Sequence, residues 1–356
     1  MYKRQVLANS LLNTIDLLRP RLAYLKPKNI VFVVGTQING APHLGTNIVQ
    51  TVAFLLANEV RHRFSIDTSV KFGALDNAPK DIVNDPFTIQ PYQITYYHAL
   101  GTQKVANLID TFYRDFFNGL SELTNIEYDI ETYTQHQSQK NFREEFIKSL
   151  HKIEDIRWFI SPSSGKAHIR IPCPKCGYAE KHSEQTILEE LKSESAFFKS
   201  NCYEHGEYFS EVSPDTDTYL DLNTIYRNVI KEAISQFDGE TLYVMVKGGD
   251  WVFGCQLVDW ALGGLGYNIN QLPMRFFAPQ IVVETGAKLS KSLINQGEMK
   301  MAGAGSNWIL DTSERHKTDE NYIENLFKLV DNLMSDPKHF FRSYSYTEID
   351  LSLIHI

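Results

Sequence analysis

The stretch that most constrains this chain runs from Ile30 to Asn47, I-V-F-V-V-G-T-Q-I-N-G-A-P-H-L-G-T-N. Ile30 to Val34 are consecutive apolar, mostly β-branched residues, the pattern of a strand buried on both faces. Gly35 and Gly40 then punctuate a loop of small polar residues, and beyond Pro42 the segment from Asn47 to Val60 has helical apolar spacing. A buried strand, a glycine-bearing turn and a helix start make a natural phosphate site. The first-turn N–H groups lack intrahelical partners and the helix dipole favours anions. The G-x-G-x-x-G dinucleotide fingerprint is absent from this turn. Read alone, His43 at the helix start is a cap or packing residue.

The 356 residues, 43% of them hydrophobic, can bury a large core and form two or three modules. A formal charge of −8 excludes broad basic coverage, while leaving room for local basic patches that meet RNA. No apolar run reaches the roughly 20 residues of a membrane span. The first residues show no continuous apolar h-region or small-residue cleavage site. The expectation is a cytoplasmic protein that binds neither DNA nor membrane. Four cysteines, three of them in a metal-like spacing, argue against a disulfide framework.

Leucines at helical spacing over residues 5–25, interrupted by Pro20, predict one or two short helices. Thr68 to Leu75 reads as a second strand and ends in Asp76-Asn77-Ala78-Pro79. Asp76 is therefore either a site residue at the ligand crevice of an α/β sheet or the start of an Asx turn. Residues 84–100, with Tyr92, Tyr96 and Tyr97, form a lid or a packed loop. Helical periodicity covers residues 105–123 and 139–152, with a strand between them.

Cys173-Pro174-Lys175-Cys176-Gly177 and Cys202-Tyr203-Glu204-His205-Gly206 form a C-x2-C-G…C-x2-H-G pattern. Each pair makes a tight knuckle, and the glycine after it lets the backbone turn so that N–H groups approach the thiolates. Cys173, Cys176, Cys202 and His205 complete a closed tetrahedral zinc shell, the mark of a structural site. Cys255 lies in an apolar helical run and reads as a buried thiol.

Residues 217–237 predict a helix, and Leu242 to Val246 a short buried strand ending in Lys247-Gly248-Gly249-Asp250. Glycines there let a ligand lie close to the backbone, and Asp250 either holds a ribose hydroxyl or caps the next helix. That helix, Trp251 to Leu265, carries Gln256 and Asp259 near its beginning. Arg275 to Val283 is a further strand-like run, followed by Gly286 and then Lys288-Leu289-Ser290-Lys291-Ser292. Two ammonium groups and two hydroxyls in such a loop suit a triphosphate, because they neutralise charge that grows on a leaving pyrophosphate.

Paired in this order, P-H-L-G (Pro42 to Gly45) and K-L-S-K-S (Lys288 to Ser292) resemble the H-I-G-H and K-M-S-K-S signatures of class I aminoacyl-tRNA synthetases. The pattern G-T-Q-I-N-G-A-P-H-L-G-T most resembles the archaeal-type class I lysyl branch, as do F-G-A-L-D-N-A-P-K, the helical run from Tyr133 to Leu150 and the zinc insert. The resemblance covers roughly residues 28–300. It departs at Thr46, which replaces the second histidine of the first signature by a hydroxyl. After Ser292 the sequence has 64 residues, too few for the family's helical anticodon-binding region, so the expectation is a core that reads no anticodon.

The resemblance implies a Rossmann-like parallel sheet with helices on both faces, a zinc-ribbon insertion and a short C-terminal helical segment. The organisation expected is a helical lead-in (1–28), the two halves of the nucleotide-binding domain (29–160 and 216–310) around the zinc ribbon (161–215), and a helical tail (311–356). The implied reaction is amino-acid activation with ATP and Mg2+, followed by transfer to a tRNA acceptor end, a carrier or a small molecule. His43, Lys288 and Lys291 are the implied catalytic residues. Gly35, Thr36, Gln37, Asn39, Gly45, Thr46, Gly249, Asp250 and Ser290 would seat ATP. If the amino acid is lysine, its ammonium needs a carboxylate partner, for which Asp76 and Asp259 are candidates, with Gln256 beside them. A conventional lysyl enzyme trimmed at its C-terminus, and a non-catalytic RNA-binding relative, are the alternatives.

Overall fold

A computed structural model describes residues 13–355 except Ile269, Glu284, residues 290–306, Glu314 and residues 316–318. A 3-10 turn (Thr14–Leu17) leads into helix α1 (Arg19–Leu25). Pro20 sits in the first turn of α1, where a missing N–H is harmless, so this proline opens a helix rather than interrupting one.

The predicted strand and helix around residue 40 are longer than the apolar runs alone suggest: β1 spans Asn29–Gln37 and α2 spans Leu44–Phe64. Ile30, Phe32 and Val34 of β1 are buried against Ile48, Val52, Leu55 and Leu56 of α2. Strand β2 (Asp67–Leu75) follows, then a hairpin of β3 (Pro79–Asn84) and β4 (Pro91–Thr95) that runs directly into α3 (Tyr96–Ile109). The segment 84–100 is thus a short turn at 85–90 followed by strand and helix, with Tyr92 fully buried. A π-helical turn joins α3 to α4 (Asp115–Thr124), and β5 (Tyr128–Thr132) completes this half of the sheet.

Helices α5 (Tyr133–Gln137), α6 (Lys140–His151) and α7 (Ile153–Ile160) come next. They lead to β6 (Ile169–Arg170), β7 (Tyr178–Glu180) and a meander of β8 (Thr186–Leu191), β9 (Ala196–Cys202) and β10 (Gly206–Val212). Strand β7 pairs antiparallel with β4, which ties the knuckle region to the β3–β4 hairpin. The helix expected from residue 217 begins only at Thr224. Asp221–Leu222 (β11) pairs with β6, and Asn223 caps α8 (Thr224–Ile234) by accepting from the Tyr226 N–H.

Strands β12 (Thr241–Gly248) and β13 (Met274–Ala278) flank α9 (Val252–Gly264). The apolar run 275–283 is split at Pro279: Ile281–Val282 (β14) pairs with Tyr344–Ser345 (β15) instead. Helix α10 (Tyr322–Ser335) buries Tyr322, Leu326 and Val330 in the same core as α2, and the Tyr322 hydroxyl donates to Asn47 Oδ1 at 3.2 Å.

The central sheet has five parallel strands in the order β13-β12-β1-β2-β5. Chain order reverses between β1 and β12, and at such a switch point the carboxyl ends of the strands open a crevice. Alternate residues face opposite ways across each strand. Phe32, Val34, Val70, Phe72, Val244 and Val246 form the apolar face that packs with α2. The opposite face carries Lys71, Glu131 and Lys247, and it meets α8. A second core lies beyond it, built from α5 to α9 and the meander. No helix among the described residues is long and apolar enough to cross a membrane.

Candidate active-site cleft and metal centre

A cleft of about 750 Å³ opens at the switch point. Val33 to Gln37, Asn39, His43, Gly45 and Thr46 line it from one side, and Lys247, Gly248, Asp250 and Lys288 from the other. His43 is the N-cap of α2: its Nδ1 accepts from the Thr46 N–H at 3.3 Å, and the Thr46 hydroxyl lies 3.3 Å from Nε2. Glycine is needed two residues on. A Cβ at Gly45 would stand 3.1 Å from His43 Cε1 and push the ring off the helix start. Capping and cleft lining therefore coexist in one residue, and Thr46, its N–H taken by His43, presents its hydroxyl in the first turn beside the cleft.

Across the cleft, β12 ends in a cramped Gly248-Gly249. A Cβ at Gly248 would lie 2.6 Å from Asp250 Oδ1, and one at Gly249 would lie 3.2 Å from the Ala278 carbonyl oxygen. Asp250 stands in a 3-10 turn rather than at a helix cap, and its Oδ2 accepts from Lys288 Nζ at 2.5 Å. Lys288 is held in place by its neighbour: the Leu289 N–H donates to the Ile281 carbonyl, and the Leu289 side chain is buried. Ser290 and Lys291 lie outside the described residues. Thr312 donates through both its N–H and its hydroxyl to the Pro42 carbonyl, so the C-terminal region braces the Pro-His-Leu-Gly loop.

Gly249 does not line the cleft, although its neighbours do. Asp76, Gln256 and Asp259 do not reach it either. Asp76 is buried, accepts from the Thr134 N–H at 3.0 Å and hydroxyl at 2.6 Å, and burial pushes its carboxyl up from the usual range. It borders a second cavity of about 910 Å³ shared with His98, Tyr219 and the first zinc knuckle. Gln256 is exposed on α9, and Asp259 is an ion-pair partner of Arg275.

The deeper part of the cleft holds charged groups that sequence reading passed over. Lys71 Nζ lies 3.0 Å from Glu131 Oε2, and His136 Nδ1 lies 2.9 Å from the same oxygen without hydrogen-bond alignment. Burial alone would raise the Glu131 carboxyl, but His136 and Lys71 bring it down to about 2. Lys247 donates to Asn228 Oδ1 at 2.9 Å and to the fully buried Glu232 at 2.8 Å, and Arg275 grips the other Glu232 oxygen. These two cations outweigh the desolvation of Glu232 and hold it at about 2. Lys71 in the run T-S-V-K-F-G-A-L, a lone charge inside an apolar strand, was the one local signal of this polar interior.

The candidate metal centre lies apart from the cleft. The ligand atoms of Cys173, Cys176, Cys202 and His205 all fall within 4.8 Å of one another. Cys176 Sγ to Cys202 Sγ is 3.5 Å, and His205 Nδ1 is 3.6 Å from both Cys173 Sγ and Cys202 Sγ. Tetrahedral zinc with Zn–S of about 2.3 Å places its ligand atoms at such spacings. Gly177 (φ 77°) and Gly206 (φ 70°) adopt the left-handed conformation that each knuckle turn requires. The Cys173 and Cys202 side chains are buried, as a closed structural site demands.

No protein-family model matches the chain, and no curated protein matches it. Among solved structures, the chain is similar to a putative arginyl-tRNA synthetase from Campylobacter jejuni, at 10% identity and a TM-score of 0.37 over 95% of this chain and 71% of that one. It is also similar to Mycobacterium tuberculosis methionyl-tRNA synthetase in complex with methionyl-adenylate, at 15% identity and a TM-score of 0.40 over 91% of this chain and 68% of that one. Neither is a lysyl enzyme.

Proposed function

We propose that this protein activates an amino acid with ATP as a class I synthetase-like catalytic core, releasing pyrophosphate and passing the aminoacyl group to a tRNA acceptor end, a carrier or a small molecule. The observation that carries the reading is the convergence of a histidine-capped helix start and Lys288 on one crevice at the switch point of a parallel sheet. In the step proposed, an oxygen of the amino-acid carboxylate attacks the α-phosphorus of ATP. The new O–P bond forms as the α–β bridging P–O bond breaks, and its electron pair leaves with pyrophosphate. No proton changes hands, so positioning and charge stabilisation do the work.

His43, Gly45 and Thr46 would present the start of α2 to the phosphates, and Gly35, Thr36, Gln37 and Asn39 would border the nucleoside. Asp250, set by the Gly248-Gly249 turn, would meet the ribose and hold Lys288 until the triphosphate claims it. Lys288, Ser290 and Lys291 would clamp the β- and γ-phosphates. Magnesium would arrive with ATP and offset charge on the leaving pyrophosphate. Structural zinc at Cys173, Cys176, Cys202 and His205 would hold the knuckle layer against β4. Lysine is the amino acid that the lysyl-branch resemblance implies, an expectation that the charges of the inner chamber, described below, argue against.

The test is amino-acid-dependent ATP–pyrophosphate exchange across the twenty amino acids, without RNA and then with total tRNA. Exchange with one amino acid supports the reading and names the substrate. Exchange that appears only with tRNA assigns the acceptor as well. Silence in both from folded, zinc-loaded protein overturns it.

A further inference from the structure

The cleft continues beyond the strand ends, onto the face of the sheet that looks toward α8. Gly35 of β1 and Gly73 of β2 stand in register there and leave the sheet surface bare between Lys71, Glu131 and Lys247. The opposite wall is one face of α8: Thr224, Arg227, Asn228, Lys231 and Ile234, spaced by three and four residues, all line the cavity. Helix α2 packs on the other side of the sheet, but its first residues line the same cavity at the strand ends, so the inner chamber and the expected phosphate end are two parts of one cleft.

Its charges do not balance. Lys71 is matched by Glu131, Lys247 by Glu232, and Lys288 by Asp250. Among the described residues the side chains of Arg227 and Lys231 make no hydrogen bond or ion pair. Arg227 is only 6% exposed, and its guanidinium lies over the Tyr133 ring, 5.4 Å from the centroid. The nearby carboxylate of Asp221 is already taken by Arg170, Asn77 and Gln93. A guanidinium withdrawn from water without a partner is unfavourable, and it persists in a cavity wall when a ligand completes it. Its planar fork fits a carboxylate bidentately, with the Lys231 ammonium one helical turn away.

We infer that the inner chamber binds the side-chain carboxylate of an acidic amino acid, gripped by Arg227 and Lys231, and that the substrate class of this site is therefore dicarboxylic rather than basic. This rests on the proposed activation reading for its substrate, while the anion subsite stands on the chamber alone. Arg227 and Lys231 line the cleft from α8, whereas His43, Thr46 and Lys288 line it at the strand ends where the phosphates are expected, which favours an amino-acid carboxylate over an ATP phosphate as their anion.

Calorimetric titration of the zinc-loaded full chain with L-glutamate, L-aspartate, L-glutamine, L-lysine and ATP tests this, with Arg227→Gln and Arg227→Lys alongside. Glutamate or aspartate should bind at least tenfold more tightly than glutamine or lysine, and Arg227→Gln should lose that preference. Because Arg227 has no side-chain hydrogen bond or ion pair to lose, only its contact with the Tyr133 ring, Arg227→Gln should melt close to the wild type, and glutamate or aspartate should raise the melting temperature of the wild type only. Preferred binding of lysine, or no binding of either acid, overturns the inference. So does a loss of ATP affinity in Arg227→Gln with acid binding intact, which would assign the cations to phosphate. Pyrophosphate exchange on the same preparations separates the two readings. Acid binding without exchange upholds the subsite and sinks the synthetase reading; exchange with lysine alone does the reverse.

Discussion

Gly35 and Gly73 face each other across neighbouring parallel strands, and a Cβ on Gly35 would come within 3.3 Å of the Gly73 carbonyl oxygen. That close approach leaves a bare patch of sheet where most α/β proteins pack a helix, and the chamber exists because of it. Gly35→Val should cost about 1–3 kcal/mol, the usual range for overpacking, in urea melts. It should also raise the KM for the amino acid in pyrophosphate exchange. An unchanged KM would show that substrate does not use the space above Gly35.

Lys288→Ala and Lys291→Ala should each slow adenylate formation by about 10²–10³-fold, as expected when a charge contact made in the transition state is removed. Circular dichroism and zinc content should stay as in the wild type. A near-wild-type exchange rate in either variant would remove the phosphate-clamp role of that lysine.

The Glu232 carboxylate is fully buried between Lys247 and Arg275. Removing one member of such a cluster leaves uncompensated buried charge, so Glu232→Ala should lose about 3–5 kcal/mol in denaturant titration. Its pKa is depressed to about 2. The contribution is therefore complete above the unfolded value near 4.3 and declines as pH falls toward 2. Stability measured from pH 6 to pH 2 should fall less steeply in Glu232→Gln than in the wild type.

Burial and the neighbouring Lys247 lower the Lys231 ammonium to about 7; Glu232 opposes them, Arg227 adds to them, and Cys255 opposes them slightly. Anion affinity should therefore decline as pH rises through about 7, where Lys231 loses its charge. The stability effect runs the other way. Between about 7 and the unfolded value near 10.4 the unfolded chain holds the extra proton, so this residue makes stability rise with pH. Lys231→Met should flatten both profiles, and a pH-independent affinity in the wild type would exclude Lys231 from the site.

Zinc analysis should find one ion per chain, and Cys176→Ser should lower both zinc content and melting temperature. The β4–β7 pairing predicts where the damage falls. Amide exchange should quicken at Tyr92–Ile94 and Tyr178–Glu180 before it does in β1. Unchanged protection in both strands after zinc removal would mean that the knuckles hold nothing but themselves.

The elements legible in the sequence are those whose cause is local. The apolar run at Ile30, the glycine turn and the capped start of α2 follow from neighbouring residues. So do the zinc knuckles, whose glycines at 177 and 206 take the left-handed turns their spacing requires. Errors cluster where long-range pairing overrode local pattern. Asp221 joins a strand partner before α8 can start, Pro279 diverts Ile281 toward Tyr344, and β3 and β7 take Pro91–Thr95 into a sheet.

The candidate site divides the same way. His43, Thr46, Asp250 and Lys288 stand at element ends that periodicity can place, and the fold brings all four to one cleft. Asp76 stands just past the end of β2 and Asp259 midway along α9, yet one is turned inward to Thr134 and the other is bound by Arg275. The amino-acid sequence by itself determined the strand and capped helix start around His43 and the cysteine–histidine knuckles, because each needs only backbone geometry and side chains a few positions apart. Only the tertiary structure decided which charges remain without partners. Lys71, Glu131, Arg227 and Lys231 meet through sheet register and the packing of a distant helix, and charge balance in a desolvated chamber is a property of that assembly and of no single segment.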